Sequence, residues 1–285
     1  MNAGPREISR QTLKSLESLL AAFHQQHSRH AGRDIMRKDV SPLGEIKVER
    51  TEPVATITIS RPDKLNSVTR RMFESFSEQV GHLTNDPAIM AIVITGEGEK
   101  AFSAGFDLDM VRGVKGQDRH DFFKLLEKTI RLIRQAKSCF TIAAVNGYAV
   151  GFGAMVASAC DFRLCSDTAG FRFPEVELAI FPGAGAASNL IHLVGSSRTK
   201  DLLLTSRLVS ADEALEIGLA NRVFPSAELM PKTMEFVAGL MKKDRYIMLR
   251  TKMLIDGMTG EELAEAADME VDFEDEWLRE YGNKS

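Results

Sequence analysis

The sequence is poor in cysteine and lacks any paired cysteine pattern. Its 285 residues include only Cys139, Cys160 and Cys165, which fall in one apolar region. An odd number placed in this way does not form a disulfide framework, so we expect reduced thiols in the core. Because no histidine stands near them in the sequence, they do not resemble a metal site or a nucleophile site. We therefore expect no metal site.

The sequence also lacks a net positive charge and a long apolar run. Its formal net charge is -4 at pH 7, so no overall basic field exists to hold a phosphate backbone, and we expect no nucleic-acid partner. No apolar run approaches the roughly 18 residues that span a bilayer, so we expect no membrane partner. The N-terminal segment has no apolar core of the secretory type. These absences predict a cytoplasmic protein, with the mitochondrial matrix as the alternative.

Residues 1–45 differ in character from the rest and form a predicted N-terminal helical extension. Apolar residues recur there at helical spacing among basic side chains. The segment resembles a transit peptide in part, but its acidic residues favour a helix that packs on the domain or on a partner subunit. His24, His27 and His30 would spread over a broad arc of such a helix, which favours a solvated surface over a metal site.

From residue 46 the chain alternates short β-branched runs with helical patterns. The runs predict strands at 45–49, 54–60, 91–95, 141–145 and 162–165. The helical patterns cover 69–84 and 119–136. This alternation predicts an α/β domain with mostly parallel strands over residues 46–195. Residues 196–285 have a nearly all-helical pattern and form the predicted C-terminal region.

Three segments place glycine or proline where a strand gives way to a turn or helix. They are KAFSAGFDL (100–108), AVNGYAVGFGAM (144–155) and FPEVELAIFPGAGA (173–186). Glycine there permits a positive φ or a close approach of the backbone to a ligand. In the second segment, Gly151 opens a predicted helix that runs to Ala159, and the free N–H groups of its first turn suit a negatively charged oxygen. Each segment alone is also typical of an ordinary helix start, but three in order favour a binding site.

These segments, together with RPDKLN at 61–66 and the pair Cys160-Asp161, carry a family resemblance. In order and approximate spacing they resemble the crotonase (enoyl-CoA hydratase/isomerase) superfamily, over roughly residues 46–255. The resemblance implies a spiral of β-β-α units with a helical C-terminal region that forms trimers, often stacked as hexamers. It also implies an acyl-CoA thioester as substrate, with coenzyme A as part of the substrate and no separate cofactor.

The resemblance also assigns site residues. The oxyanion-hole donors would be the backbone N–H groups of Phe106 and Phe152, at positions where the superfamily usually has small residues. Their rings leave the donors intact, and either narrow the acyl pocket or merely fill the core. Glu175 matches the catalytic glutamate of the Pro-Glu segment. The other residues expected around the substrate are Ala104, Gly105, Asp107, Gly151, Met155 and Gly183.

One position departs from the hydratase pattern. The superfamily's hydratases use a second glutamate on the helix after Gly-x-Gly, and this chain has Met155 there, which cannot carry a proton. Losing a positioned acid or base typically costs about 10²–10⁴ in rate. One carboxylate is enough to move a proton from C2 to C4, as in the Δ3-Δ2-enoyl-CoA isomerases that this site pattern resembles most. The apolar neighbours of Glu175 predict a raised pKa for its carboxyl.

Four other residues have weaker assignments. In an extended segment, Glu177 would share a face with Glu175, as a second acid or as a charge that raises its pKa. Asp107 is predicted to cap the helix that follows it. Asp161 resembles a structural residue of the superfamily. Lys252 is predicted to be exposed, with a contact to a coenzyme A phosphate as the alternative.

The sequence therefore predicts an acyl-CoA-binding, enoyl-CoA isomerase-like enzyme with Glu175 as its base. One alternative is a hydratase of the same family, in which Glu177 or a bound water compensates for Met155. Others are a catalytically silent acyl-CoA-binding protein and RNA binding through the basic N-terminal helix, which the acidic balance disfavours. After residue 258 an acidic segment, from Glu261 to Glu276, departs from the usual family ending and predicts a solvated helix with one apolar side.

Overall fold

The computed structural model describes residues 44–258 and, beyond them, Val271, Asp272, Asp275 and Arg279. In this part of the chain the strands are β1 (Glu45–Thr51), β2 (Val54–Ser60), β3 (Ala91–Gly96), β4 (Ala101–Ser103), β5 (Phe140–Val145), β6 (Tyr148–Val150), β7 (Phe162–Ser166), β8 (Gly170–Arg172), β9 (Val209–Ser210) and β10 (Arg222–Phe224). The helices are α1 (Arg70–Asn85), α2 (Leu108–Gly113), α3 (Gly116–Arg134), α4 (Phe152–Ala159), α5 (Ala186–Thr205), α6 (Ala211–Glu216), α7 (Leu229–Met241) and α8 (Arg245–Met258).

The strands form two sheets that the chain visits in turn. The larger sheet has the order β1-β2-β3-β5-β7-β10, and the smaller has the order β4-β6-β8-β9. From β3 to β8, one strand in the large sheet is followed by one in the small sheet, and then by helical segments. After them, β9 joins the small sheet and β10 joins the large sheet. Apart from the pairs β1–β2 and β8–β9, the neighbours are parallel. The predicted α/β spiral of β-β-α units is confirmed.

Local sequence explains the central elements. Every residue of β3 and β5 is buried, and such continuous apolar runs are typical of parallel strands covered on both faces. Helix α1 buries Met72, Phe73, Phe76 and Val80 at helical spacing, and its N-cap residue Thr69 accepts a hydrogen bond from the Met72 amide. The helices predicted at 69–84 and 119–136 correspond to α1 and α3 within a few residues.

The structure adds strands that the sequence pattern does not predict. β4, β6 and β8 have three residues each, too few to show an alternating pattern. β9 and β10 fall in residues 196–285, for which the sequence predicts helices, so this region also completes both sheets. The expected boundary after residue 195 falls within α5, where Gly195 has a non-helical backbone (φ 77°, ψ 163°).

Two sequence predictions fall outside the described residues. They are the N-terminal helical extension predicted over residues 1–45, of which only 44 and 45 are described, and most of the acidic segment that begins at Glu261. Within the described part of the chain, no helix combines the length and the apolar composition that crossing a membrane requires.

Candidate active site

The three glycine- and proline-containing segments meet at one edge of the smaller sheet. β4, β6 and β8 are neighbours and run parallel, so their carboxyl ends lie at the same edge. One segment follows each strand there: Gly105 and Phe106 after β4, Gly151 and Phe152 after β6, and Glu175 after β8. The order of strands in this sheet therefore brings the predicted site residues together.

The first amide of the site belongs to Phe106. Before it, Gly105 has a φ of 90°, and a Cβ there would lie 2.9 Å from Val150 O and 3.6 Å from Phe152 N. Only glycine therefore lets this turn pack against the first turn of α4. Phe106 forms a parallel bridge with Val68, in which Val68 N–H donates to Gly105 O and Val68 O accepts from the residue after Phe106. The bridge does not use the Phe106 N–H.

The second amide belongs to Phe152, the first residue of α4. Its N-cap residue, Gly151, has a φ of 52° and no side chain that could cap the helix. The Phe152 N–H has no intrahelical acceptor and lies at the positive end of the helix dipole. A Cβ at Gly153 would lie 2.6 Å from Ser103 O, so this turn packs directly onto the end of β4. The Phe106 and Phe152 amides form the candidate oxyanion hole.

The rings of the same two residues pack in an aromatic cluster. Phe106 and Phe152 stack with ring centroids 4.6 Å apart and an interplanar angle of 21°. Phe73 meets both rings edge-on at 5.2 and 5.5 Å, and Phe122 lies 4.9 Å from Phe106. Phe152 is 2% exposed, whereas Phe106 is partly exposed. Both rings therefore fill core, and a narrowing of the acyl pocket by Phe106 stays a prediction.

Glu175 lies against the start of α4. It is 7% exposed, and a Cβ at Gly151 would lie 3.4 Å from its Oε1. Its Oε2 is buried without a hydrogen-bond partner among the described residues. Burial raises the pKa of Glu175 to about 7, as its apolar neighbours predict. A carboxyl with this pKa can both accept and return a proton near neutral pH.

Glu177 lies apart from this arrangement, and the extended segment expected there is wrong. Residues 175–179 form turns, so Glu175 is buried while Glu177 is exposed. The Glu177 carboxylate accepts a 2.6 Å hydrogen bond from Arg172 Nη2, and burial, not a neighbouring charge, raises the pKa of Glu175. Arg172 also accepts the Gly151 N–H at its carbonyl (3.0 Å). Arg172 was not singled out from the sequence. Its position two residues before Pro174 is the feature of the sequence that could have indicated this supporting role.

Asp107 caps α2, as predicted, by accepting a hydrogen bond from Asp109 N–H at 3.0 Å. It also accepts a 2.6 Å bond from Arg61 of the RPDKLN motif, a partner that the sequence did not reveal. Burial by itself would raise the pKa of Asp107, but the hydrogen bonds from Arg61 and the Asp109 amide outweigh it and lower the pKa. The ionised carboxylate thus supports the turn at Phe106, and direct contact with substrate stays a prediction.

The other predicted substrate-lining residues occupy different places. Ala104 precedes the first amide, and its N–H donates to Leu65 O at 2.9 Å. Met155 lies one turn into α4 and is 5% exposed. Gly183 lies in the turn before α5, where its N–H donates to Phe181 O at 2.9 Å. Ala104 and Met155 are therefore within a few residues of the amides, while the backbone bonds of Gly183 stay within its own turn.

The exposed position predicted for Lys252 is wrong. Its side chain is 6% exposed, and Nζ donates to Asp161 Oδ2 at 2.5 Å. The same oxygen accepts hydrogen bonds from Thr141 N–H (2.8 Å) and Thr141 Oγ1 (3.1 Å), which confirms the structural role of Asp161. Since Lys252 is held by Asp161, it is not available to a coenzyme A phosphate.

Known proteins resemble this chain in sequence and in fold. The family model described as enoyl-CoA hydratase/isomerase matches residues 49–281. The crotonyl-CoA hydratase of Syntrophomonas wolfei is 34% identical over 80% of this chain and 87% of its own length. The short-chain-enoyl-CoA hydratase of Clostridium acetobutylicum is 38% identical over 66% of this chain and 72% of its own. The crystal structure of an enoyl-CoA hydratase from Mycobacterium avium subsp. paratuberculosis has a TM-score of 0.74 and 27% identity, and the match covers 85% of this chain and 93% of that one. The chain therefore belongs to the enoyl-CoA hydratase/isomerase family, within the crotonase superfamily.

Proposed function

We propose that this family member is an enoyl-CoA isomerase in which Glu175 moves one proton. The carboxylate removes a proton from C2 of a 3-enoyl-CoA, and the electron pair spreads over the thioester as a dienolate. The Phe106 and Phe152 amides donate hydrogen bonds to the dienolate oxygen. The Glu175 carboxyl then returns the proton at C4, which leaves the double bond between C2 and C3. The reaction uses no metal ion, and coenzyme A enters only as part of the substrate.

One observation carries the proposal: among the described residues, one buried carboxyl lies beside the two amides. Glu175 lies at the start of α4, and the position where the superfamily's hydratases have their second glutamate holds buried Met155. The sequence of α4, FGAMVASA, contains no ionisable side chain. Addition of water needs one group to activate the water and a second to manage its proton. Moving a proton between two carbons of one substrate needs only one group.

Hydration is the second candidate, because the relatives from Syntrophomonas wolfei and Clostridium acetobutylicum are named as hydratases. In that case another group would have to replace the glutamate that Met155 displaces. Glu177 is poorly suited, since its carboxylate is paired with Arg172. The remaining candidate for this second group is a bound water held by the amides and Glu175.

The two reactions are separated with two substrates and one variant. The purified protein is expected to convert 3-hexenoyl-CoA into its 2-enoyl isomer. It is expected to hydrate crotonyl-CoA about 10²–10⁴ times more slowly than it isomerises 3-hexenoyl-CoA. Met155→Glu is expected to raise the hydration rate. A wild-type protein that hydrates crotonyl-CoA as fast as it isomerises 3-hexenoyl-CoA would reject the isomerase proposal.

A catalytically silent acyl-CoA binder is tested by isotope exchange. If Glu175 acts as a base, butyryl-CoA in deuterated water exchanges its C2 protons, and Glu175→Gln abolishes the exchange. The exchange rate is expected to rise with pH through about 7, because the pKa of Glu175 is raised to that value by burial. Calorimetric binding of butyryl-CoA without any exchange would show a binding protein only.

We also propose a homotrimer or a hexamer as the working assembly. Tyr246, Ile247 and Leu254 of α8 are 68%, 64% and 64% exposed in the single chain. Large apolar side chains gathered on one helix are typical of a subunit contact. Sedimentation equilibrium measures the number of subunits in the assembly directly, and Leu254→Glu is expected to lower that number. The cytoplasmic location stays a prediction.

A further inference from the structure

A buried arginine lies at the end of α4 that is opposite the two amides. Arg163, on β7, is 2% exposed. Its guanidinium donates to backbone carbonyls, from Nη1 to Cys160 O (2.5 Å) and Ala157 O (3.5 Å), and from Nε to Leu219 O (2.7 Å). Nη2 lies 3.4 Å from the amide oxygen of Asn221. Its hydrogen-bond partners are thus amide and carbonyl oxygens rather than a carboxylate.

Burying this charge is costly, and burial lowers the pKa of the Arg163 guanidinium. Part of the cost is offset by the last carbonyls of α4, which carry the negative end of its dipole. A cation at a helix C-terminus is a common stabilising device, so this contact alone indicates only stability. What distinguishes α4 is that its other end supplies the Phe152 N–H.

Beyond the ring of Phe152 at its first residue, α4 presents mostly small side chains to its neighbours. All eight of its residues are buried, and five of them are glycine, alanine or serine. Such small side chains give a helix shallow ridges that interlock weakly with its neighbours. The helix is about 12 Å long, so a displacement at one end is passed to the other with little bending. The guanidinium therefore acts on the position of the whole helix.

Arg163 is itself anchored from the other side. Its N–H donates to Asn221 Oδ1 (2.7 Å), and Asn221 N–H donates to Arg163 O (2.9 Å). These reciprocal bonds join β7 to the turn before β10, which is the neighbour of β7 in the large sheet. The carbonyls of α4 are thus tied, through one side chain, to two elements of the sheet.

We infer that Arg163 is a positioning residue for the oxyanion hole, because it fixes α4 along its axis and so places the Phe152 N–H. The inference rests on the proposed function only in taking a thioester carbonyl as the group that the hole binds. An error of about 1 Å in the position of a catalytic group can cost about 10² in rate. Loss of the guanidinium should therefore lower kcat more than it raises KM.

The direct test is the infrared carbonyl stretch of bound butyryl-CoA that carries ¹³C at C1. Hydrogen bonds from the two amides lower this frequency relative to the free ligand. In Arg163→Gln we expect at least half of that shift to be lost, with kcat for 3-hexenoyl-CoA lower by about 10² and KM changed less than about threefold. Arg163→Lys keeps the charge without the planar fork and should give an intermediate shift.

A matched control separates positioning from general stability. Arg207→Met also removes a hydrogen-bonded cation, but its partners, Asp201 and Glu213, do not adjoin α4, so it should leave the carbonyl shift unchanged. If Arg163→Gln does not fold, Asn221→Ala weakens the anchor of Arg163 and should reduce the shift in the same direction. A full wild-type shift in the folded Arg163→Gln protein, or in Asn221→Ala where only that variant folds, would overturn the inference.

The same experiment keeps the two proposals apart. If the wild-type protein lowers the carbonyl frequency of bound butyryl-CoA but leaves 3-hexenoyl-CoA unchanged, the isomerase proposal is rejected. The role of Arg163 can still be tested by comparing this frequency between the wild type and the Arg163 variants. A wild-type protein that binds butyryl-CoA without any shift would overturn the positioning role, because no polarising hole would exist.

Discussion

Asp161 and Glu175 both have largely buried carboxyl groups, and they differ in their partners. Asp161 Oδ2 accepts hydrogen bonds from the Thr141 amide, the Thr141 hydroxyl and Lys252. Glu175 Oε2 is buried without a partner among the described residues. Buried polar groups are normally satisfied, so an exception calls for an explanation. The contrast shows that the interior can hold a carboxylate for structure where partners surround it, and that it leaves Glu175 with a high proton affinity beside the two amides.

The largest expected effect comes from replacing the unsatisfied carboxyl. Glu175→Gln keeps the shape of the side chain and removes its proton transfer. We expect isomerisation of 3-hexenoyl-CoA to fall by about 10²–10⁴ in kcat, equivalent to roughly 3–5 kcal/mol of barrier. Steady-state kinetics measures the loss, and calorimetry with butyryl-CoA serves as the control for intact binding. Retention of full activity would remove Glu175 from the mechanism.

Removing a partner of the Asp161 carboxylate should lower the stability of the protein and leave the rate of isomerisation unchanged. Lys252→Met leaves Asp161 buried with only its Thr141 bonds, and loss of one partner of a buried ion pair typically costs about 3–5 kcal/mol. Urea denaturation at one fixed protein concentration measures the change. The double variant Asp161→Asn, Lys252→Met should be more stable than Lys252→Met alone, because no unpaired charge remains. Equal stabilities would contradict a buried pair.

The pH dependence of stability gives a smaller effect. The pKa of Glu175 in the folded state, about 7, lies above its ordinary value of 4.5. The folded state therefore binds this proton more tightly, and the resulting stability is complete below pH 4.5 and lost as the pH rises through 7. Between pH 5 and pH 8, Glu175→Gln should gain about 2–3 kcal/mol relative to the wild type. Parallel denaturation series at the two pH values measure it, and a constant difference would contradict the raised pKa.

The smallest effect is expected at Glu177. Its carboxylate is paired with Arg172 at 2.6 Å, and its side chain is 34% exposed. Exposed pairs of this kind contribute about 0.2–1 kcal/mol, so Glu177→Gln should change stability and kcat only slightly. Comparing this variant with Glu175→Gln in one assay separates the two glutamates. A loss of activity at Glu177 comparable to that at Glu175 would make it a second acid.

Sequence alone predicted the parts of the molecule whose signals are local. The buried runs of β3 and β5 and the amphipathic pattern of α1 extend over enough residues to define their period. The glycine-containing segments likewise predicted turns at Gly105 and Gly151, where a positive φ depends on the residue itself, while the family resemblance assigned the two amides that follow them. The helix N-cap at Asp107 was also predicted from local sequence.

The parts that sequence did not predict depend on residues far apart in the chain. Lys252 and Asp161 are 91 positions apart, so nothing in the C-terminal segment alone indicates that this lysine is buried. β9 and β10 are too short to interrupt a helical pattern, and pairing with β8 and β7 stabilises them. Glu177 was misplaced because an extended chain was assumed where residues 175–179 turn.

The pairing of β4 with β6 has a consequence for how such a site can change. Neighbouring strands lie about 4.8 Å apart in any sheet, and the two turns that end in Phe106 and Phe152 begin from these neighbours. The separation of the two amides is thus inherited from main-chain geometry, which substitutions such as the methionine at 155 leave intact. Side chains around the two amides can therefore change while the spacing of the amides is kept.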